Sequence, residues 1–252
     1  MLETNQELLD RFAARDRRAL AQVLSLVEQG SAPRLPAPTG PPPLVVGITG
    51  SGGAGKSTLV GGLLTYLRSL GQRVAVLACD PQSPLTGGAL LGDRVRVAID
   101  PQDEDVYFRS LSTRGASGGI SAAVGPAIDC LARYGFDVIL VETVGVGQDQ
   151  MAVRPLVQSL VMLVTPHTGD EVQWEKAGLI EVADLVVVNK SDLPGADRVR
   201  QQLHSALTLV PGAEPVPVLN VIAAKQEGIA ELWEAILAAA STAPRGGAAR
   251  DR

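Results

Sequence analysis

The first stretch of this sequence that could do chemistry is a run of glycines followed by a lysine and a serine. It forms a complete G-x-x-x-x-G-K-S pattern, Gly50-Ser51-Gly52-Gly53-Ala54-Gly55-Lys56-Ser57. Glycines let backbone N–H groups turn towards phosphate oxygens, and the N-terminus of a following helix adds its positive dipole end. The lysine would reach the β- and γ-phosphates, and the serine hydroxyl would take a position on Mg²⁺. The pattern therefore predicts a nucleoside triphosphate site formed by Gly52, Gly53, Ala54, Gly55, Lys56, Ser57 and Thr58.

A second polar segment indicates which base that site holds. The sequence N-K-S-D at 189–192 follows an apolar run. A carboxylate at the position of Asp192 accepts hydrogen bonds from both N1–H and the N2 amino group of guanine, and adenine lacks those donors. Asn189 would brace the loop, and the stem of Lys190 would cover the face of the base. The backbone N–H of Ala223 is a further candidate, as a donor to guanine O6.

Acidic residues that follow apolar runs are candidates for a metal site. Glu142 follows one such run directly, Asp80 closely follows another, and Asp93 lies thirteen residues further along the chain. Mg²⁺ prefers oxygen ligands and keeps several waters, so one or two carboxylates suffice. The metal-site candidates are then Ser57, Asp80, Asp93 and Glu142. The catalytic candidates are Lys56, Asp80, Glu142 and Gly145, whose N–H could sense the γ-phosphate.

Simpler interpretations of these acids remain open at this stage. Asp80 could belong to an Asp-Pro turn, and Asp93 could be a surface charge. A further acidic cluster is interpreted as a solvated face; it consists of Asp100, Asp103, Glu104 and Asp105. No group that orients the attacking water is evident, although Gln148 is a candidate.

These residues must be positioned by strands and helices, and short apolar runs that predict strands alternate along the sequence with patterns that predict helices. Strands are predicted over 44–48, 74–78, 106–109, 138–141, 160–164, 185–188 and 216–221. Helices are predicted over 56–70, 120–133, 170–181, 197–208 and 228–240, with one or two more between 5 and 29. This rhythm is typical of an α/β protein, the three-layer P-loop NTPase fold, with a mostly parallel sheet flanked by helices.

The organisation of the chain follows from its composition. We expect a helical N-terminal segment over 1–30, a linker over 31–43 in which six of thirteen residues are proline, a nucleotide-binding domain over 44–240 and a flexible tail over 241–252. The net charge of −5 argues against binding to nucleic acid or an anionic membrane. Two cysteines and the lack of an apolar run of about eighteen residues predict a cytoplasmic protein.

These motifs together resemble the methylmalonyl-CoA mutase-associated GTPases of the MeaB or ArgK type, which belong to the G3E group of P-loop GTPases. The resemblance rests on GITGSGGAGKST, ACDPQSPLTGGALLGDR, FRSLSTRGASGG, FDVILVETVGVGQ, TPHTGDEVQWEKAG and VVVNKSDL. It implies a GTP-hydrolysing chaperone that uses GTP, GDP and Mg²⁺. The implied client is an adenosylcobalamin-dependent acyl-CoA mutase, whose cofactor loading and protection the GTPase gates. Hydrolysis would be slow alone and stimulated by the client.

The resemblance also implies an extra switch between about 165 and 176, with Gln173 and Lys176 carrying the nucleotide state to the mutase. The sequence departs from the family in two places. It reads Asp80-Pro81-Gln82-Ser83 where the family often has D-P-S-S. It also ends soon after the helix predicted at 228–240, so a homodimer would form without the helical C-terminal arm that family members commonly use.

Two other functions compete with this interpretation. A GTPase that inserts metal into urease or hydrogenase would share the fold, but such proteins usually carry Cys and His ligands that this sequence lacks at ligand spacing. An ATP-dependent kinase would share the phosphate loop but has no need of the segment at 189–192.

Overall fold

The computed structural model describes most of the chain, namely residues 4–38, 40–80, 102–112, 122–143, 152–168, 182–208 and 216–242. Within these ranges lie seven strands: β1 (Leu44–Gly50), β2 (Val74–Asp80), β3 (Val106–Ser112), β4 (Val138–Glu142), β5 (Ser159–Val164), β6 (Leu185–Asn189) and β7 (Val218–Val221). The same ranges hold six α-helices: α1 (Asn5–Ala13), α2 (Arg17–Glu28), α3 (Lys56–Ser69), α4 (Val124–Tyr134), α5 (Ala196–Thr208) and α6 (Ile229–Thr242).

The strands form one sheet in the order β3-β2-β4-β1-β5-β6-β7, and every neighbouring pair is parallel. Parallel neighbours need crossover connections, so helices cover both faces of such a sheet. Helices α1, α2, α4 and α5 cover one face, and α3 and α6 cover the other. This arrangement confirms the predicted three-layer α/β fold.

The strands match the predicted apolar runs because parallel strands are buried on both faces and read as continuous Val, Leu and Ile. β4, β5 and β6 are buried along their whole lengths. β1 continues two residues beyond its predicted end, because Thr49 and Gly50 still pair with β5. β3 likewise continues to Ser112, since its polar end pairs with β2.

The N-terminal segment forms two helices rather than one. A capping box between Thr4 and Glu7 begins α1, and the Asp16 side chain accepts from two backbone N–H groups at the start of α2. Between them Arg15 has a φ of 63°, which ends the first helix. Phe12 is buried against Tyr134 of α4, with the rings edge to face, so both helices pack onto the layer that covers the sheet.

In the acidic cluster beside β3, Glu104 is exposed as a solvated face requires, but Asp103 and Asp105 form ion pairs that this interpretation does not include. Asp103 accepts hydrogen bonds from Arg68 Nε and Nη2 at 2.9 and 3.0 Å, and Asp105 pairs with both Arg68 and Arg73. These pairs join the end of α3 to the starts of β2 and β3. The pattern of charges alone missed them because the arginines lie more than thirty residues away in sequence. Asp100 lies outside the described residues.

Two further predicted segments cannot be compared with the structure. The helix predicted at 170–181 and most of the predicted tail lie outside the described residues. Among the helices that the structure describes, none combines the length and apolar character needed to span a membrane.

Candidate nucleotide site

The phosphate loop connects the end of β1 to the start of α3 at the carboxyl edge of the sheet. Ligands of open α/β sheets bind at this edge. Gly55 adopts a left-handed conformation, with φ of 91°, immediately before the helix begins at Lys56. The Lys56 ammonium donates to the carbonyls of Gly50 and Ser51 at 3.0 and 3.1 Å, so it lies across the loop.

Two glycines of this loop are required by close contacts as well as by their backbone angles. A Cβ atom on Gly50 would lie 2.5 Å from the carbonyl oxygen of Leu163 in β5. A Cβ atom on Gly55 would lie 2.4 Å from Asn189 Nδ2. Real Cβ atoms do not approach so closely, so the spacing of glycines fits the loop to its neighbouring strands.

The predicted metal-site residues Ser57 and Glu142 lie together. The Ser57 hydroxyl donates to Glu142 Oε1 at 2.8 Å, and both residues are buried. β1 lies beside β4 in parallel register, with Ile48 opposite Glu142, which carries the carboxylate to the start of α3. One hydroxyl oxygen and one carboxylate oxygen are ligands that Mg²⁺ prefers, so these two residues fit the predicted ion.

The other predicted acids and switch residues are less fully described. The backbone of Asp80 ends β2 at the same edge of the sheet, two residues beyond the pair formed by Ala78 and Glu142. The remaining predicted positions lie outside the described residues; they are Asp93, Gly145, Gln148, Gln173 and Lys176.

Asn189 ties the phosphate loop to the predicted base site. It is 2% exposed, and its Nδ2 donates to the carbonyl of Ala54 at 2.8 Å. Its Oδ1 accepts from the backbone N–H of Ala223 at 3.1 Å. Lys190, with φ of 57°, donates from Nζ to the carbonyl of Gly53 at 2.9 Å. The two residues therefore hold the loop and the end of β6 in one fixed arrangement.

A pocket of about 270 Å³ lies between these elements. Its lining includes Thr58, Asp192 and the backbone of 222–224. Asp192 forms an ion pair with Lys225, 3.1 Å between Oδ2 and Nζ. The hydrogen bond from Lys225 lowers the pKa of the Asp192 carboxyl, and Asp192 raises the pKa of Lys225. Asp192 therefore remains an anionic acceptor at neutral pH.

The Ala223 amide is already used within the protein, since its hydrogen points to Asn189. The predicted contact of this N–H with guanine O6 would break that bond. The next residue, Ala224, lines the same pocket. Lys225 was missed by the sequence analysis, because nothing in its position four residues after the end of β7 indicates that it pairs with Asp192.

Comparison with known proteins identifies the family. A family model described as methylmalonyl Co-A mutase-associated GTPase MeaB matches residues 20–252. The chain belongs to the MeaB family. This confirms the resemblance on which the sequence-based expectations rest.

Relatives and solved structures agree with membership of the MeaB family. The chain is 44% identical over 241 residues to a Pyrococcus abyssi protein that is named as a GTPase, across 91% of this chain and 74% of that protein. It is 42% identical over 195 residues to the mouse protein named methylmalonic aciduria type A homolog, mitochondrial, across 75% of this chain and 47% of that one. A crystal structure titled LAO/AO transport system kinase superposes with a TM-score of 0.75 and 30% identity, covering 98% of this chain and 79% of the other.

Proposed function

We propose that this MeaB-family chain is a Mg²⁺-dependent GTPase that acts as a chaperone for an adenosylcobalamin-dependent acyl-CoA mutase. The observation that carries the nucleotide part is the pair of hydrogen bonds made by Asn189. Through them the phosphate loop and the loop that carries Asp192 are held together, and residues of both line one cleft, the pocket described above. A guanine nucleotide would place its phosphates at Lys56 and its base at Asp192.

The phosphate end of the cleft would act by electrostatic stabilisation. Lys56 and the amides of 52–57 would neutralise charge that develops on the transferred phosphoryl group. Ser57 and Glu142 would hold Mg²⁺, with Asp80 and Asp93 as the other candidates in this part of the site. When bound, the ion would neutralise charge on the β- and γ-phosphate oxygens.

The base end of the cleft would select guanine. Asp192 would accept from N1–H and the N2 amino group, and Lys225 would keep that carboxylate ionised and in place. We assign the contact with O6 to the N–H of Ala224, because that of Ala223 already donates to Asn189. An adenine in the same pocket would leave the Asp192 carboxylate without its donors.

The client is proposed from the family and from the mouse relative, whose names refer to methylmalonyl-CoA mutase and to methylmalonic aciduria. Gln173 and Lys176 are the candidates for transmitting the nucleotide state, and Gly145 for sensing the γ-phosphate. We expect single-turnover GTP hydrolysis below about 1 per second for the chain alone. Hydrolysis should be faster with the client mutase. A mutase that leaves the rate of GTP hydrolysis unchanged would contradict the proposed chaperone role.

Nucleotide titration tests the GTPase itself. We expect GTP to bind at least about a hundredfold more tightly than ATP, and Asp192→Asn to remove most of that preference. The matched control is Asp197→Asn, which neutralises an exposed carboxylate five residues away, at the start of α5. Equal affinity of the unaltered chain for the two nucleotides would refute the proposal.

An ATP-dependent kinase is the second candidate, because the solved structure at 30% identity carries a kinase title. A kinase would transfer the phosphoryl group to an acceptor, whereas a GTPase releases inorganic phosphate in equal amount to GDP. Metal insertion is less well supported: in the ranges that the structure describes, no three His, Cys, Asp or Glu side chains are grouped to hold a metal ion.

A further inference from the structure

Two buried threonines link the strands on either side of the candidate magnesium site. Thr49 is the next-to-last residue of β1, and Thr143 follows the last residue of β4. Their hydroxyl oxygens are 3.1 Å apart, with Thr143 donating, and each residue is 1% exposed. The Thr143 N–H also donates to the carbonyl of Ile48 at 3.0 Å.

The hydroxyl contact is the favourable arrangement for both groups. A buried hydroxyl without a partner is destabilising, and this contact gives the Thr143 hydroxyl an acceptor and the Thr49 oxygen a donor. The Thr143 hydroxyl lies 3.5 Å from the carbonyl of Ile48, which offers a second acceptor. The pair therefore continues the pairing of β1 with β4 for one step beyond their registered residues, Ile48 and Glu142.

The pair lies behind the metal-site residues, on the other face of the sheet. Ile48 points into the core beneath α3, and side chains alternate along a strand, so Thr49 points to the opposite face. Glu142 reaches Ser57 at the start of α3, whereas the next residue, Thr143, reaches back to β1. Glu142 therefore makes its contact on the face of the sheet that α3 covers, and Thr143 makes its contact on the opposite face.

Both threonines stand next to segments that are candidates for contact with the nucleotide. Thr49 immediately precedes Gly50, where the phosphate loop begins. Thr143 stands two residues before Gly145, the proposed sensor of the γ-phosphate. The hydroxyl pair joins the residue before the phosphate loop to the residue after Glu142.

We propose that Thr49 and Thr143 are positioning residues for GTP hydrolysis. Their hydroxyl pair fixes the point at which the chain leaves the sheet after Glu142, and so holds the Glu142 carboxylate in place beside Ser57 and the phosphate loop. This inference rests on the proposed GTPase function. It assigns no contact with the nucleotide to either threonine.

Isosteric variants test the proposal by removing one or both hydroxyls. Thr143→Val and Thr49→Val should each lower the single-turnover rate of GTP hydrolysis about fivefold, the equivalent of one hydrogen bond. The double variant should be no slower than the slower single variant, because the two changes remove the same bond. GDP affinity should stay within about twofold of the unaltered chain, since the base and β-phosphate contacts remain.

Two controls separate positioning from general damage. Thr143→Ser keeps the hydroxyl and should retain most of the rate. Thr65→Val removes an exposed hydroxyl that bonds only within α3, to the carbonyl of Gly61, and should leave the rate unchanged. A Thr143→Val chain that hydrolyses GTP at the unaltered rate would overturn the proposal, as would rate losses that multiply in the double variant.

Amide hydrogen exchange supplies a readout that does not depend on hydrolysis. In the nucleotide-free chain, Thr143→Val should speed exchange of the amide at 143, which donates to Ile48, about fivefold. Unchanged exchange would reject the positioning role even if the GTPase proposal stood. An unaltered chain that binds no GTP would reject the GTPase proposal, and faster exchange in the variant would still support the link between the strands.

Discussion

At the scale of single residues, the Asn189 side chain at the end of β6 determines that position 55, just before α3, must be a glycine. Gly55 has a positive φ, and a Cβ there would collide with Asn189 Nδ2. We predict that Gly55→Ala lowers the free energy of unfolding by more than about 2 kcal/mol, because backbone strain and the displaced asparagine add together. It should also weaken GDP binding at least about tenfold, because the loop and the base pocket lose their common support. Urea unfolding and nucleotide titration measure the two effects.

The matched control at this scale is Gly71→Ala. Gly71 also has a positive φ, 74°, but a Cβ there would meet no atom within 4 Å. It should therefore cost about 1 kcal/mol of backbone strain and leave GDP affinity unchanged. If the two variants were equally destabilised and bound GDP equally well, the clash with Asn189 would not be the cause of the effects of Gly55→Ala.

At the scale of elements, the N-terminal helices contribute to the core that covers one sheet face. Phe12 of α1 is 1% exposed and meets the ring of Tyr134 at 5.3 Å between centroids. The Tyr134 hydroxyl in turn donates to the carbonyl of Arg15 between α1 and α2. We predict that Phe12→Ala lowers the free energy of unfolding by about 3–5 kcal/mol, as measured by urea denaturation.

The control for this element is Leu70→Ala, at the end of α3. Leu70 is 50% exposed, so its truncation should cost less than about 1 kcal/mol. A similar small cost for Phe12→Ala would mean that α1 does not stabilise the rest of the chain. Nucleotide affinity should change in neither variant, because neither residue touches the cleft.

At the scale of the whole molecule, one edge of the sheet and one of its faces have different roles. The carboxyl ends of β1, β4 and β6 lead into the candidate nucleotide site, whereas α1 and α2 cover the apolar surface of α4 and the sheet beside it. Removal of residues 1–30 would expose that surface, which includes Cys130, Leu131 and Ile139. We predict that the shortened chain self-associates more than the full chain, as measured by light scattering.

The same truncation should leave GDP binding in the fraction that stays dispersed. The described residues that form the cleft all follow residue 44, and none lies in α1 or α2. A shortened chain that stays as dispersed as the full chain would show that the N-terminal helices are dispensable for solubility. Loss of GDP binding in a dispersed chain would show instead that they support the site.

Much of the fold could be predicted from the sequence, and the candidate site residues that the structure describes lie at the ends of the predicted strands or in the loops and helix that follow them. Continuous Val, Leu and Ile runs mark strands that are buried on both faces, and the two polar motifs follow such runs because ligands bind at strand ends. The prediction of a solvated face missed the ion pairs of Asp103 and Asp105, although the Asp105 side chain is still 45% exposed. Local composition does not show that Arg68 and Arg73, which belong to other parts of the chain, lie beside these two carboxylates.

The sequence by itself determined the type of protein: the glycine spacing, Lys56 and Ser57 predict a phosphate loop, and Asp192 predicts a carboxylate that would select guanine, because each motif needs only a short stretch of chain. The tertiary structure alone decided which of these groups meet. It placed Glu142 on Ser57, turned the Ala223 N–H to Asn189, and brought Lys225 to Asp192. It also paired Thr49 with Thr143 across 94 positions of sequence. Such contacts depend on the order of strands in the sheet, and strand order is set by the packing of the whole chain.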